Sequence, residues 1–180
     1  MEFTDLKMDD YPSYLNLYNS AFPPDERREY KDAEHLADFI KMKGGKFRAF
    51  AVKDGDIFIG FLSYWIFERY TYVEHFAVTP ENRGNNIGTK MLNHLFKTVS
   101  DDVLLEVEPP VTPEAERRIR FYQRNGFRIR EEIDYTQPPY SKGQQPVKLL
   151  LMTHGNVSLH NKESISEMLH EVYNVDEGIG

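Results

Sequence analysis

The chain has 180 residues, with 22 Lys or Arg against 29 Asp or Glu and a net charge of −7. That length supports one domain with a real core and is marginal for two; the acidic balance argues against nonspecific nucleic-acid binding and suits a cationic partner better. There is no cysteine for disulfides or thiol chemistry, no apolar run near the roughly 20 residues that span a bilayer, and no signal-peptide pattern at Met1–Asp5, so a cytoplasmic protein is expected.

In chain order, Asp9-Asp10 are placed to cap a first helix from about Pro12 to Phe22, with Tyr14, Leu17, Tyr18 and Ala21 on one face. Pro23-Pro24 breaks it. A second helix is predicted from Glu26 to Met42, with Leu36, Phe39 and Ile40 as its apolar side and Gly44-Gly45 as its stop. Phe47 to Val52 and Ile57 to Phe67 read as strands joined by a turn at Asp54-Gly55. A third strand, Thr71 to Val78, feeds a loop rich in Gly and Asn. The helix that follows carries Ile87, Met91, Leu92, Leu95, Phe96 and Val99 at helical spacing.

Asp101-Asp102 precede a short strand, Val103 to Val107, closed by Pro109-Pro110. Thr112 is positioned to cap the next helix, with Pro113 at its first position and Glu114 and Glu116 near the positive end of its dipole. Gly126 sits where that helix needs a left-handed residue to stop. Phe127 to Ile133 and Val147 to Met152 are the last strands expected, with a loop over 135–143 between them. A tail helix starts near Ser164, where Ser164 and Glu167 have capping-box spacing, and Asp176 to Gly180 is expected to fray. No repeat or linker interrupts the chain. One α/β domain is expected over 1–180, with a core of about 3–153 and a C-terminal helical extension of about 160–175.

The strand, loop and helix around Arg83-Gly84-Asn85-Asn86-Ile87-Gly88-Thr89 form the most informative segment. Free amides at a helix start, reinforced by the dipole, converge on one point and suit a phosphate. An ordinary strand-to-helix turn is an equal reading of these residues alone. A P-loop is excluded by spacing, and a dinucleotide fold by the lack of Gly-x-Gly-x-x-Gly. The six histidines lack metal-ligand spacing, so no metal is expected, and His75 reads as a satisfied strand residue. Glu74, Phe76 and Val78 alternate onto one strand face, where a carboxylate is costly unless it is satisfied or used.

Arg83-Gly84-Asn85-Asn86-Ile87-Gly88, followed downstream by Tyr122-Gln123-Arg124-Asn125-Gly126-Phe127, resembles the two ordered motifs of the GNAT superfamily of acetyl-CoA-dependent N-acetyltransferases. The likeness covers roughly Phe47 to Met152. It implies a mixed α/β (α+β) fold with a mostly antiparallel central sheet flanked by helices on both faces. It also implies acetyl-CoA as co-substrate, its pantetheine arm along Phe76, Ala77 and Val78 and its pyrophosphate on Arg83 through Thr89 (Gly84, Asn85, Asn86, Ile87 and Gly88 between them).

Three positions depart from the family pattern. Asn86 stands where glycine is usual, and Asn tolerates positive φ better than other side-chain-bearing residues. Ala115 and Arg118 stand where the helix before Tyr122 usually has an asparagine and a small residue. Arg118 is offered as a cationic contact to a CoA phosphate, the alternative being a solvated helix charge.

The resemblance further implies Tyr122 as the acid that protonates the leaving thiolate and Glu74 as the base. A structural pairing of Glu74 with an Arg or Tyr is the alternative, and Glu106 and Glu108 are rival bases. Glu106, Glu108 and Tyr140 are the expected acceptor contacts. Tyr64, Trp65, Tyr70, Tyr72, Tyr135 and Tyr140 form either an aromatic pocket or, more simply, core packing. The expected acceptor is a primary amine of a small molecule or peptide, attacking directly because no cysteine can carry an acyl group; no membrane or nucleic acid is involved, and a homodimer stays open. An acyl-CoA sensor without catalysis and transfer of a longer acyl group are the alternatives.

Overall fold

A computed structural model describes residues 1–99, 102–160 and 162–175. The chain forms two compact units interleaved in sequence. The first holds strands β1 (Glu2–Asp5), β2 (Phe47–Asp54), β3 (Ile57–Ile66) and most of β4 (Thr71–Val78), with helices α1 (Tyr11–Ala21), α2 (Ala33–Met42) and α3 (Ile87–Thr98). The second holds 24–28, 67–72 and the chain after α3: β5 (Val103–Val107), α4 (Pro113–Arg124), β6 (Arg128–Ile129), β7 (Thr136–Gln137), β8 (Val147–Lys148), β9 (Leu150–His154) and α5 (Ser166–Tyr173). The expected fraying at Asp176–Gly180 lies outside the described residues.

In the first unit the strand order is β1-β2-β3-β4. β2 and β3 pair antiparallel, with Ala51 opposite Phe61 and Phe50 opposite Leu62. Directly paired residues share a face, so Phe61 and Phe50 point to opposite sides. On Phe61's side, Tyr14 packs tilted at 4.2 Å, and Tyr11, Leu17, Tyr18, Leu36 and Ala77 complete a buried cluster. On Phe50's side, His94 of α3 packs at 5.0 Å and also stacks on Phe3 at 4.5 Å. Helices therefore cover both faces of this sheet, as expected. The mixed, mostly antiparallel α/β class stands as read from the sequence.

The second unit orders its strands β5-β9-β6, both pairings antiparallel, with Glu106 opposite Leu151 and Ile129 opposite Met152. β7 and β8 form a separate two-stranded ribbon. Gln137, 2% exposed, donates through Nε2 to the Asp25 carbonyl at 3.1 Å. Gln144 Nε2 donates to the carbonyls of Pro24 at 2.6 Å and Arg27 at 2.9 Å.

Those amides explain one correction. The expected helix from Glu26 starts only at Ala33, and Pro24–Glu26 is a 3-10 turn. Carbonyls at 24, 25 and 27 are taken by glutamine side chains instead of helical amides, and Asp32 caps the true start by accepting from the His35 amide at 2.8 Å.

Other expectations shift for similarly local reasons. Asp10 is the N-cap residue of α1 but makes no side-chain cap; its carboxylate accepts from the Lys7 amide at 3.1 Å and pairs with Lys53. β1 was unforeseen: four residues at a sheet edge leave too little alternation to read. The strand expected over Phe127–Ile133 ends at Ile129, because a turn closes with Ile133 N–H on Arg130 O at 3.2 Å. The run Val147–Met152 splits between β8 and β9, and β7 lies in what reads as a loop. Ser164 does not cap α5; its hydroxyl accepts from the His160 amide at 3.1 Å, and Ile165 occupies the N-cap.

Candidate functional site

β4 runs over the residues expected. Thr71, Val73, His75 and Ala77 are buried, while Glu74, Phe76 and Val78 alternate with them on a less buried face. His75 is wedged edge-on between Tyr18 at 4.7 Å and Phe22 at 4.6 Å, which accounts for it as packing. Glu74 is held by a partner absent from the sequence-based alternatives: the indole N–H of fully buried Trp65 donates to Oε2 at 2.8 Å. The ring is rigid, so the carboxylate's direction is set by the β3 backbone.

After Val78 the chain makes a 3-10 turn, Pro80–Asn82, and Arg83 folds back so that Nε donates to the Val78 carbonyl at 3.2 Å. Gly84 has φ +85° and Asn86 φ +60°. Left-handed residues of this kind occur in the turns that form anion-binding nests. Asn86 adopts the left-handed backbone its type tolerates, so the departure from glycine is accommodated. It is the N-cap of α3, yet its side chain makes no capping hydrogen bond, whereas Asp32 and Thr112 do cap α2 and α4. Residues 83–86 are exposed, and the first-turn amides of Ile87, Gly88 and Thr89 have no intrahelical acceptor. This end of α3 carries partial positive charge and amides without helical partners, which suits a diphosphate.

Gly60 of β3 brings the strands close here. A Cβ at Gly60 would lie 2.7 Å from the Ala77 carbonyl oxygen and 3.4 Å from the Val78 Cα, so only glycine lets β4 sit where it does.

In the second unit, the Tyr122–Phe127 segment has a full local explanation. Phe127 N–H donates to Tyr122 O at 3.1 Å and Gly126 N–H to Gln123 O at 3.0 Å, the two bonds of a Schellman cap. Gly126 has φ +86°, and a Cβ there would also meet the His154 ring at 2.9 Å. Tyr122 therefore anchors the cap with its own carbonyl, and its ring packs on Phe127 at 5.4 Å and Phe121 at 5.2 Å. Burial pushes its phenol up to about 12, opposed by the charge of Arg118. The phenol is therefore protonated at neutral pH.

Arg118 pairs with Glu108, both half exposed, so a residue expected on the cofactor is linked to one expected on the acceptor. Glu26 joins them electrostatically: burial first, then Glu108, raise its carboxyl, and Arg118 lowers it. Glu106, half-buried on β5, accepts from the hydroxyls of Tyr135 and Tyr173. Tyr140 packs on Tyr173 at 4.8 Å, with the Arg28 guanidinium 4.7 Å from its ring centre. Tyr64, Trp65, Tyr70, Tyr72 and Tyr135 are buried, so core packing describes most of the aromatic set. Trp65, Tyr135 and Tyr173 are the polar partners missed by reading residue types. Each meets its carboxylate through a tertiary contact that no local pattern announces.

Among the described residues no group of three or more His, Asp or Glu side chains is placed to hold a metal, and no helix is long and apolar enough to cross a membrane.

Residues 11–127 match the profile of the acetyltransferase (GNAT) family. A solved structure described as "Putative acetyltransferase from GNAT family from Bacteroides thetaiotaomicron" superposes with a TM-score of 0.83 at 39% identity, covering 98% of this chain and 100% of that one. "Putative acetyltransferase YjbC" of Bacillus subtilis (strain 168) is 28% identical over 109 residues; the match spans 59% of this chain and 55% of that protein. Two more distant structures share the fold. A mutant of the spermidine N-acetyltransferase SpeG from Vibrio cholerae has a TM-score of 0.65 at 16% identity, covering 86% of this chain and 94% of its own. A ribosomal-protein-alanine N-acetyltransferase from Brucella melitensis has a TM-score of 0.65 at 17% identity, covering 85% and 98%.

Proposed function

The chain belongs to the GNAT acetyltransferase family, and on that premise we propose that it is a cytoplasmic enzyme moving an acetyl group from acetyl-CoA to a primary amine. What carries the reading is the start of α3: an exposed, uncapped helix N-terminus entered through left-handed Gly84 and Asn86, directly after a strand bearing a fixed carboxylate. Arg83 to Thr89 bind the diphosphate, and Phe76, Ala77 and Val78 line the pantetheine arm. Arg118 contributes a positive charge to a CoA phosphate.

The reaction is direct. The amine nitrogen attacks the thioester carbonyl carbon, and Glu74 takes the proton lost from nitrogen, directly or through water. A main-chain amide near Val78 steadies the oxyanion. The C–S bond breaks, the electron pair leaves on sulfur, and Tyr122 donates its proton to the thiolate. A phenol held protonated at neutral pH suits that task. The products are an acetamide and free CoA thiol. Glu106, Glu108 and Tyr140 contact the acceptor, a small-molecule or peptide amine.

The test is an acetyl-CoA consumption screen over amino acids, polyamines, aminoglycosides, amino sugars and peptide N-termini, paired with titration of CoA binding. Glu74→Gln and Tyr122→Phe are expected to bind CoA normally and lose transfer. Tight CoA binding with no amine acetylated would make the chain a sensor instead.

A further inference from the structure

The carboxylate of Glu106 is gripped by side chains from beyond the segment the family profile matches. The Tyr135 hydroxyl donates to Oε1, and the Tyr173 hydroxyl, carried by α5, lies 3.0 Å from Oε1 and 2.9 Å from Oε2. Since the single proton of Tyr173 goes to the carboxylate, the Tyr72 hydroxyl 3.0 Å away donates to the Tyr173 oxygen. The three tyrosines are buried, at 0% (Tyr72), 2% (Tyr135) and 4% (Tyr173) exposure, while Glu106 is only half-buried. Glu106 thus keeps partial exposure above a floor of phenol donors.

Burial and the charge of Glu106 push the phenols of Tyr135 and Tyr173 well above their ordinary range, so both remain donors. Hydroxyl donors of this kind suit a carboxylate acceptor. A merely structural cluster would not need that charge, because an amide oxygen accepts the same two hydrogen bonds. A carboxylate set beside a cluster of aromatic rings is suited to an organic cation.

Resting on the acetyltransferase reading above, we propose that Glu106 docks the acceptor as its alkylammonium ion, with Tyr135 and Tyr173 as positioning residues. The docked ion gives one proton to Glu74, which frees the nitrogen lone pair for attack, and the second proton lost after attack replaces the one Tyr122 gives to the thiolate. Helix α5 then belongs to the acceptor site. The substrate class narrows from any primary amine to one that is charged when it arrives, near pKa 10 for an alkyl amine, and excludes neutral arylamines.

The probes are phenethylamine, a cation at neutral pH, aniline, which is neutral, and benzyltrimethylammonium, a cation with no N–H to acetylate. Wild type is expected to show a KM for phenethylamine more than tenfold below that for aniline. Tyr173→Phe and Glu106→Gln are expected to raise the phenethylamine KM about tenfold while the acetyl-CoA KM stays within twofold, as for loss of a hydrogen bond to a charged group. Benzyltrimethylammonium should compete with phenethylamine and not with acetyl-CoA, and should weaken in the same variants.

Tyr72→Phe removes the hydroxyl that supports Tyr173 and leaves the Tyr135 and Tyr173 hydroxyls on Glu106 in place, so its effect should be smaller. An unchanged phenethylamine KM in Tyr173→Phe, an equal rise in Tyr72→Phe, or both KMs rising together overturns the proposal. If wild type acetylates no amine at all, the enzymatic reading fails separately. Benzyltrimethylammonium titration, lost in Glu106→Gln, then decides whether the cation site stands alone.

Discussion

The indole N–H of Trp65 and Oε2 of Glu74 meet at 2.8 Å across neighbouring strands, joining a fully buried ring to the carboxylate of the less buried β4 face. Glu74→Gln keeps an oxygen for the indole, so folding should hold while kcat falls by about 10² to 10³ through loss of the base. Trp65→Phe keeps an aromatic ring but loses the N–H. It should cost about 1–3 kcal/mol of stability, from lost packing and a lost hydrogen bond to a charged group, and lower kcat roughly tenfold. Denaturant midpoints and steady-state rates separate the two effects.

Tyr122→Phe should lower kcat by about 10² to 10⁴ with the acetyl-CoA KM nearly unchanged. The pH profile offers a second check. The Tyr122 phenol titrates at about 12 when folded and near 10 when unfolded, so folding favours its protonated form. Its contribution to stability is complete below pH 10 and is lost as pH rises from 10 toward 12. Activity should therefore show no alkaline limb from this group between pH 7 and about 10; a limb that disappears in Tyr122→Phe would contradict the assignment.

Asn86→Gly should bind CoA within about twofold of wild type, because the left-handed turn is already present at φ +60°. Asn86→Val should weaken CoA binding markedly and destabilise the fold by about 1–2 kcal/mol, since a β-branched side chain resists that backbone. Gly84→Ala adds a Cβ into open space, so its cost, about 1 kcal/mol, comes from φ +85° alone. Calorimetric titration with CoA and thermal melts check all three.

Gly60→Ala differs in kind. Its Cβ would meet the Ala77 carbonyl at 2.7 Å, and neither strand can give way cheaply. A loss of about 2–3 kcal/mol is expected, together with weaker CoA binding, because β4 must shift at Ala77 and Val78. Normal stability and normal CoA affinity in this variant would rule out β4 as the strand that carries the pantetheine arm.

The elements read correctly from residue types are those whose hydrogen bonds close within a few positions. The cap that stops α4 at Tyr122, Gly126 and Phe127 spans six residues, and Thr112 caps the same helix with the Ala115 amide at 3.1 Å. β4 and β5 were legible because alternation or a short apolar run bounded by turn residues survives in the chain itself. The left-handed positions of the α3 loop were legible because glycine and asparagine are the types that occupy such a backbone.

What could not be read is who meets whom. The start of α2 moved because Gln137 takes the Asp25 carbonyl from 112 positions away, and Glu106 is oriented by Tyr173 across 67. Even Trp65 and Glu74, only 9 positions apart, pair through strand register and not through local geometry. Side-chain pattern encodes which face of an element avoids water and where the backbone can turn. The partner that satisfies a buried polar atom is chosen by packing, where chain distance carries no information and each donor must find an acceptor in three dimensions.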